Sequence, residues 1–190
     1  MCFSDYLNEI KKISDDMKKS EPDMQFLIKT LKDCKESGNR IFIIGNGGSA
    51  STATHMACDL FKTAHINAKS FDNIPLNSAI TNDEGWSELF KYQLERENLK
   101  PFDMVIAISV HGGSGEEKAG PWSQNLNKAI DYANDKGATT IGFSGFDGGY
   151  LKEHCDRCFV IPAESTPIVE AFHVVLHHYI AFALQEGDRK

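Results

Sequence analysis

The 190-residue chain has no surplus of positive charge, with 20 lysines and arginines against 27 aspartates and glutamates for a net charge of -7. A broad phosphate-binding surface needs the opposite balance, so no nucleic acid partner is expected. No stretch reaches the ~20 apolar residues of a membrane span, so no membrane partner is expected either. The first twenty residues include Asp5, Glu9, Lys11, Lys12, Asp15, Asp16, Lys18 and Lys19, which leaves no apolar core for a signal peptide. Cysteine is sparse. Cys2, Cys34, Cys58, Cys155 and Cys158 are odd in number and irregular in spacing, which excludes a disulfide framework and fits a reducing, cytoplasmic setting. Repeats, low-complexity tracts and compositional breaks are also missing. With 41% hydrophobic and 25% charged residues, the chain is expected to form one globular domain over 1–190.

The hydrophobic pattern divides that domain into two regions. Phe3, Leu7, Ile10, Ile13 and Met17 recur at helical spacing. Ser20-Glu21-Pro22-Asp23 reads as a new helix start, with Ser20 as N-cap, and Met24, Leu27, Ile28, Leu31 and Cys34 form the next apolar face. Residues 1–38 are therefore predicted to be a helical pair, with an apolar stripe suited to oligomerisation. From residue 39 onward, apolar runs at 41–44, 104–108, 139–143 and 158–161 alternate with helical stretches near 49–63, 85–98, 123–136 and 149–154. A last helix runs from Thr166 to about Leu184. Runs without polar alternation suit strands covered on both faces. The prediction is an α/β fold, a three-layer αβα sandwich with a parallel sheet and two extra N-terminal helices. Ligands in such sheets bind beyond the carboxyl ends of the strands, which singles out the loops 45–49, 109–115 and 144–149.

Gly45-Asn46-Gly47-Gly48-Ser49 leaves a strand and enters a helix, so backbone N–H groups and a helix N-terminus can face an anion. On that helix His55 and Asp59 are spaced i, i+4, within reach of one ion or substrate. The last helix places Glu170, His173, His177 and His178 among Ala171, Phe172, Val174, Val175, Leu176 and Ile180, ionisable groups where composition predicts burial. Glu170 and His178 are eight residues apart, about two turns, although a spacing of seven fits one face better. His173 and His177 read as core histidines satisfied by hydrogen bonds. The loop at 144–149 reads as a wall. His154-Cys155-x-x-Cys158 has the form of half a zinc knuckle or a redox pair. No second pair exists, and Cys158 falls in step with a strand, so neither chemistry is expected there.

Taken together, Gly45-Asn46-Gly47-Gly48-Ser49-Ala50, His55, Asn82-Asp83-Glu84-Gly85 and Glu170-x-x-His173 with His178 resemble the sugar isomerase (SIS) domain of phosphoheptose isomerases. The likeness runs in order over nearly the whole chain, N-terminal helices included. It implies an SIS fold, a homotetramer with sites built between subunits, and conversion of sedoheptulose 7-phosphate to an aldoheptose phosphate, with zinc. Carried over by residue, it implies that His55, Asp59, Glu170 and His178 hold one zinc ion per subunit, and that Asp59 is the base and His178 the acid. Asn46, Gly47, Gly48, Ser49, Asn82, Asp83, Asp59 and Glu170 would contact the sugar, and Ser109, Val110, His111 and Ser114 its phosphate. The chain departs from the family at Asp59, where glutamate is usual, at Glu170, where glutamine is usual, and at Val110 and His111, which replace hydroxyl residues. An insertion at 115–122 follows the phosphate loop.

Two function classes follow. The first is an aldose–ketose isomerase working through an enediol, in which a carboxylate moves a proton between adjacent carbons and an electrophile holds the developing oxyanion. Asp59 is one methylene shorter than glutamate, and a displacement of ~1 Å can cost about a hundredfold in rate. The second is a non-catalytic SIS module that binds a sugar phosphate or a protein partner, regulatory or associated with replication initiation. The ionisable set on two apolar helices favours the first. Two carboxylates would offset the full charge of a divalent ion, and an oxygen-richer site would also accept manganese.

Overall fold

The computed structural model describes residues 2–113 and 123–186. Helices α1 (Phe3–Met17) and α2 (Glu21–Glu36) are joined by a single 3-10 turn, Lys18–Ser20. Ser20 occupies the predicted N-cap position but makes no side-chain cap, because helical backbone runs through it from the preceding turn. The rest alternates: β1 (Ile41–Gly45), α3 (Gly48–Lys62), β2 (Ala68–Ser70), α4 (Ile74–Asp83), α5 (Leu89–Arg96), β3 (Met104–Ile108), α6 (Gln124–Asp135), β4 (Thr139–Ser144), α7 (Gly149–His154), β5 (Arg157–Val160) and α8 (Thr166–Glu186).

The five strands form one parallel sheet in the order β2-β1-β3-β4-β5. Successive side chains on a strand point to opposite faces. Ile41, Ile43, Met104, Ile106, Ile108, Ile141 and Phe143 accordingly pack with α1, α2, α3 and α8 on one side. Phe42, Ile44, Val105 and Ala107 pack with α4, α5, α6 and α7 on the other. The result is the predicted three-layer sandwich, with two differences from the sequence reading. β2 is a strand of three residues, Ala68-Lys69-Ser70, with no apolar run to announce it, and α4 precedes the helix expected near 85–98.

At the amino ends of the strands, Asp103 is 2% exposed and accepts hydrogen bonds from the Arg40 backbone N–H (2.9 Å), the Arg40 guanidinium (2.6 Å) and the Lys100 N–H (3.0 Å). This buried charge pair fastens the starts of β1 and β3. The opposite, carboxyl end is left to loops. Because connections run to opposite sides after β1 and β3, a crevice opens there. Helix α8 is long and apolar enough by composition to cross a membrane, but half of the relevant stretch is buried, and it packs against α3 and α2 as a core helix.

Candidate active site

The loop after β1 turns sharply, with Gly47 at φ +55° as the N-cap of α3. A Cβ at Gly48 would come within 2.5 Å of Glu170 Oε1, so the glycine makes room for a carboxylate delivered by α8 against the first residue of α3. A helix N-terminus favours that charge. Ser49 is buried in the same turn. Asn46 exchanges two hydrogen bonds of 2.9 Å with Asn125, a fully buried side chain in the first turn of α6, and this pair bridges the crevice. Asn125 carries no motif and was not legible as a site residue in the sequence.

About two turns further along α3, His55 and Asp59 meet the far part of α8. Asp59 Oδ2 lies 3.5 Å from His55 Nε2, 3.7 Å from His177 Nδ1 and 3.8 Å from His178 Nε2. The three rings touch one another, with centroids 4.1 Å apart for His177 and His178, 4.7 Å for His55 and His177, and 4.9 Å for His55 and His178. One nitrogen from each ring falls within 4.8 Å of the other two. His55, Asp59 and His178 are thus brought together as the resemblance implies. Glu170 sits apart from this group, against Gly48.

The two core histidines behave differently. His173 meets the sequence reading in part: it is fully buried and its Nε2–H donates to the Ser144 carbonyl at 3.2 Å, tying α8 to the end of β4, while its Nδ1 has no hydrogen-bond partner among the described residues. His177 does not. It too is fully buried, yet among the described residues neither ring nitrogen has a hydrogen-bond partner. Burial lowers its pKa to about 4, the charges of His178 and His55 push the same way, and Asp59 opposes them. At neutral pH the ring is therefore an uncharged imidazole, the form that binds metal. Buried polar atoms without partners are uncommon in folded proteins. A nitrogen-rich group with one carboxylate and a buried, unpartnered imidazole fits a zinc ion.

The loop after β3 folds on itself: Ser109 Oγ accepts from Gly113 N–H at 3.0 Å, and Gly112 and Gly113 take φ of +64° and +65°. The wall at 144–149 seats it. Gly112 accepts from Leu151 N–H at 2.9 Å, Val110 accepts from Gly145 N–H at 2.9 Å, and the Val110 side chain turns into the core. His111 is exposed and its ring leans on Phe146, centroids 4.2 Å apart. Ser114 and the insertion at 115–122 lie outside the described residues. Asn82 and Asp83 end α4 on the surface, with an Asn82 Nδ2–H donated to Asp83 Oδ1 at 2.7 Å. A cavity of about 670 Å³ between α3, β2 and α4 is bordered by Ser51, Thr54, His55, Ser70 and Asp72. The Cys155 and Cys158 thiols are both pushed up by burial, Cys158 to about 11. His154 stacks on Tyr150 instead of joining them.

Comparison with known proteins agrees with this fold. The SIS domain family matches residues 5–145. The chain is 35% identical over 167 residues to the phosphoheptose isomerase of Trichlorobacter lovleyi, covering 85% of this chain and 78% of that one. It is 37% identical over 164 residues to the lincomycin biosynthesis protein LmbN of Streptomyces lincolnensis, covering 80% of this chain but 58% of that longer protein. Its fold superposes on a phosphoheptose isomerase structure from Francisella tularensis with a TM-score of 0.85 at 19% identity, over 98% of this chain and all of the other.

Proposed function

The chain belongs to the SIS domain family and is a sugar phosphate isomerase, and from that premise we propose that it interconverts sedoheptulose 7-phosphate and an aldoheptose phosphate through an enediol. The observation that carries this reading is the convergence of Asp59 and His178 from two helices beside His55, below a glycine loop that already receives the Glu170 carboxylate. The non-catalytic alternative needs none of these groups.

In this reading Asn46, Gly47, Gly48, Ser49 and Glu170 hold the sugar hydroxyls, with Asn82 and Asp83 closing over them. The phosphate lies on the loop of Ser109, Val110, His111 and Ser114, where the backbone N–H groups of a glycine turn form an anion-binding concavity. The Asp59 carboxylate takes a proton from the ketose carbon next to the carbonyl and returns it to the carbonyl carbon. His178 passes a proton between the two oxygens. His55, Asp59 and His178 would hold one zinc ion per subunit, and when bound it would supply Lewis-acid polarisation of the carbonyl. We place the protein in the cytoplasm, in keeping with five free thiols, and assemble it as a homotetramer with sites between subunits.

The test is turnover of sedoheptulose 7-phosphate in deuterated water, followed by NMR. The expected result is aldose formation with solvent deuterium appearing at the carbon that exchanges its proton, and a loss of about 100- to 10,000-fold on Asp59→Asn. Turnover with no deuterium after many cycles would overturn the enediol, and no turnover by the zinc-loaded protein would overturn the substrate.

A further inference from the structure

We propose that His177 is a direct ligand of the metal ion, so that the three imidazoles of His55, His177 and His178 hold it with one position left open to the substrate carbonyl, while Asp59 borders the site as the base and Glu170 stays outside the coordination shell on the sugar side. The proposal rests on the zinc reading above and goes beyond it in the donor set. The ligand set implied by resemblance takes one imidazole and one carboxylate from each helix. The structure arranges the groups otherwise.

Three observations point to His177. The first is the absence of any other partner among the described residues: the ring is fully buried and both nitrogens lack a hydrogen bond there. A buried imidazole without a partner costs the desolvation of that group, whereas a cation would take one of the two nitrogens. The second is distance. Donors around a tetrahedral zinc with bonds near 2.0–2.1 Å lie about 3.3 Å apart. One nitrogen from each of the three rings lies within 4.8 Å of the other two, close enough for ring rotations to bring all three onto one ion, and Asp59 Oδ2 borders the same point at 3.5, 3.7 and 3.8 Å from nitrogens of His55, His177 and His178. The third is equivalence: His177 meets both other rings as closely as they meet each other.

Glu170 is placed elsewhere by the same geometry. It precedes His177 by seven residues, roughly 10 Å along the helix axis, and its carboxylate rests on Gly48 at the start of α3. There it faces the Asn46-Gly47-Gly48 loop, where hydroxyls and not a cation are expected. Replacing that carboxylate by an imidazole in the ion's shell leaves one negative charge beside the site, that of Asp59, not two. Such a shell should prefer zinc to manganese, in contrast to the oxygen-richer set.

The experiment measures metal, not catalysis. The full chain is stripped with a chelator, and zinc affinity and stoichiometry are measured by competition with a chromophoric indicator for wild type, His177→Leu, His177→Gln, Glu170→Gln and His55→Ala. Both His177 variants should lose about 100-fold or more in affinity, the upper end of what losing an outer-shell partner already costs. Glu170→Gln should stay within threefold of wild type. Leucine suits an apolar site, so apo His177→Leu should melt at or above the apo wild type. X-ray absorption on zinc-loaded wild type should count three imidazoles, a readout independent of any variant. Two imidazoles, or full affinity in His177→Leu with loss in Glu170→Gln, would overturn the proposal while the zinc site stands. No stoichiometric zinc in the wild type, or affinity untouched by His55→Ala, would instead remove the zinc reading itself.

Discussion

At the scale of single residues, the two buried histidines of α8 show how the same chemistry serves different ends. His173 spends its Nε2–H on the Ser144 carbonyl, and burial, partly offset by that bond, holds its pKa down to about 4. An exposed histidine in the unfolded chain titrates near 6.5. The folded state thus disfavours the proton, so His173's contribution is fully present above about pH 6.5 and is lost as pH falls toward 4. The difference corresponds to about 3 kcal/mol at the acid end. Urea unfolding of the metal-free protein from pH 7 to 4.5 should show stability falling with acid. His173→Gln, which keeps an N–H donor but cannot be protonated, should fall less steeply. Parallel slopes for the two proteins would show that His173 is not the titrating group. His177 could not be told from His173 in the sequence. Both sit at apolar positions of one helix, and only the crossing of α3, which brings Asp59 and His55 to its flank, distinguishes a ring with a backbone acceptor from a ring with none.

At the scale of elements, what was legible depended on whether the signal was local. β1, β3 and β4 announced themselves as apolar runs because a central parallel strand buries both faces, whereas β5, at the other edge of the sheet, was legible only from its short run around Phe159 and Val160. β2 is an edge strand of three residues with a lysine in its middle, and only its pairing with β1 makes it a strand. Spacing put Asp59 a turn from His55, but only the family resemblance implied His178 as its partner from the last helix. Asn125 was missed because its meaning comes from Asn46, 79 residues away. The loop at 144–149 was read as a wall, and the structure makes it the seat of the loop after β3, through backbone contacts no spacing could reveal. That seat can be tested. A Cβ on Gly112 would lie 1.9 Å from the Gly148 carbonyl oxygen, and the residue holds φ +64°, so Gly112→Ala meets both backbone strain and a clash with rigid main chain. A loss of about 2 kcal/mol or more is expected, together with a rise in KM for the sugar phosphate larger than any fall in kcat. Unchanged stability and KM would mean that the loop does not depend on its close approach to 148–149.

At the scale of the whole molecule, the question is what covers the apolar surface the fold leaves open. On α1, Tyr6, Ile10, Ile13 and Met17 pack against the core, so charging Ile13 would break the monomer itself. Phe3 and Leu7, one turn apart, are 75% and 48% exposed and form a separate stripe left uncovered by the described residues. Helix α8 repeats the arrangement. Val175, Tyr179 and Phe182, at i, i+4 and i+7, are exposed along one face, beside the cluster that holds His178. Contiguous apolar surface of this kind marks association, and two stripes on two helices call for more than one partner surface, as a tetramer provides. The α8 stripe adjoins the site, so assembly and activity should fail together. Light scattering of the wild type at micromolar concentration should give a mass near four times 21.1 kDa. Phe3→Glu with Leu7→Glu should lower that mass without changing the circular dichroism spectrum, and isomerase activity should fall in proportion to the tetramer lost. A wild-type mass near that of one chain would overturn the assembly. A dissociated variant with full activity would show instead that each subunit carries a complete site, with His55, Asp59, His177 and His178 sufficient within a single chain.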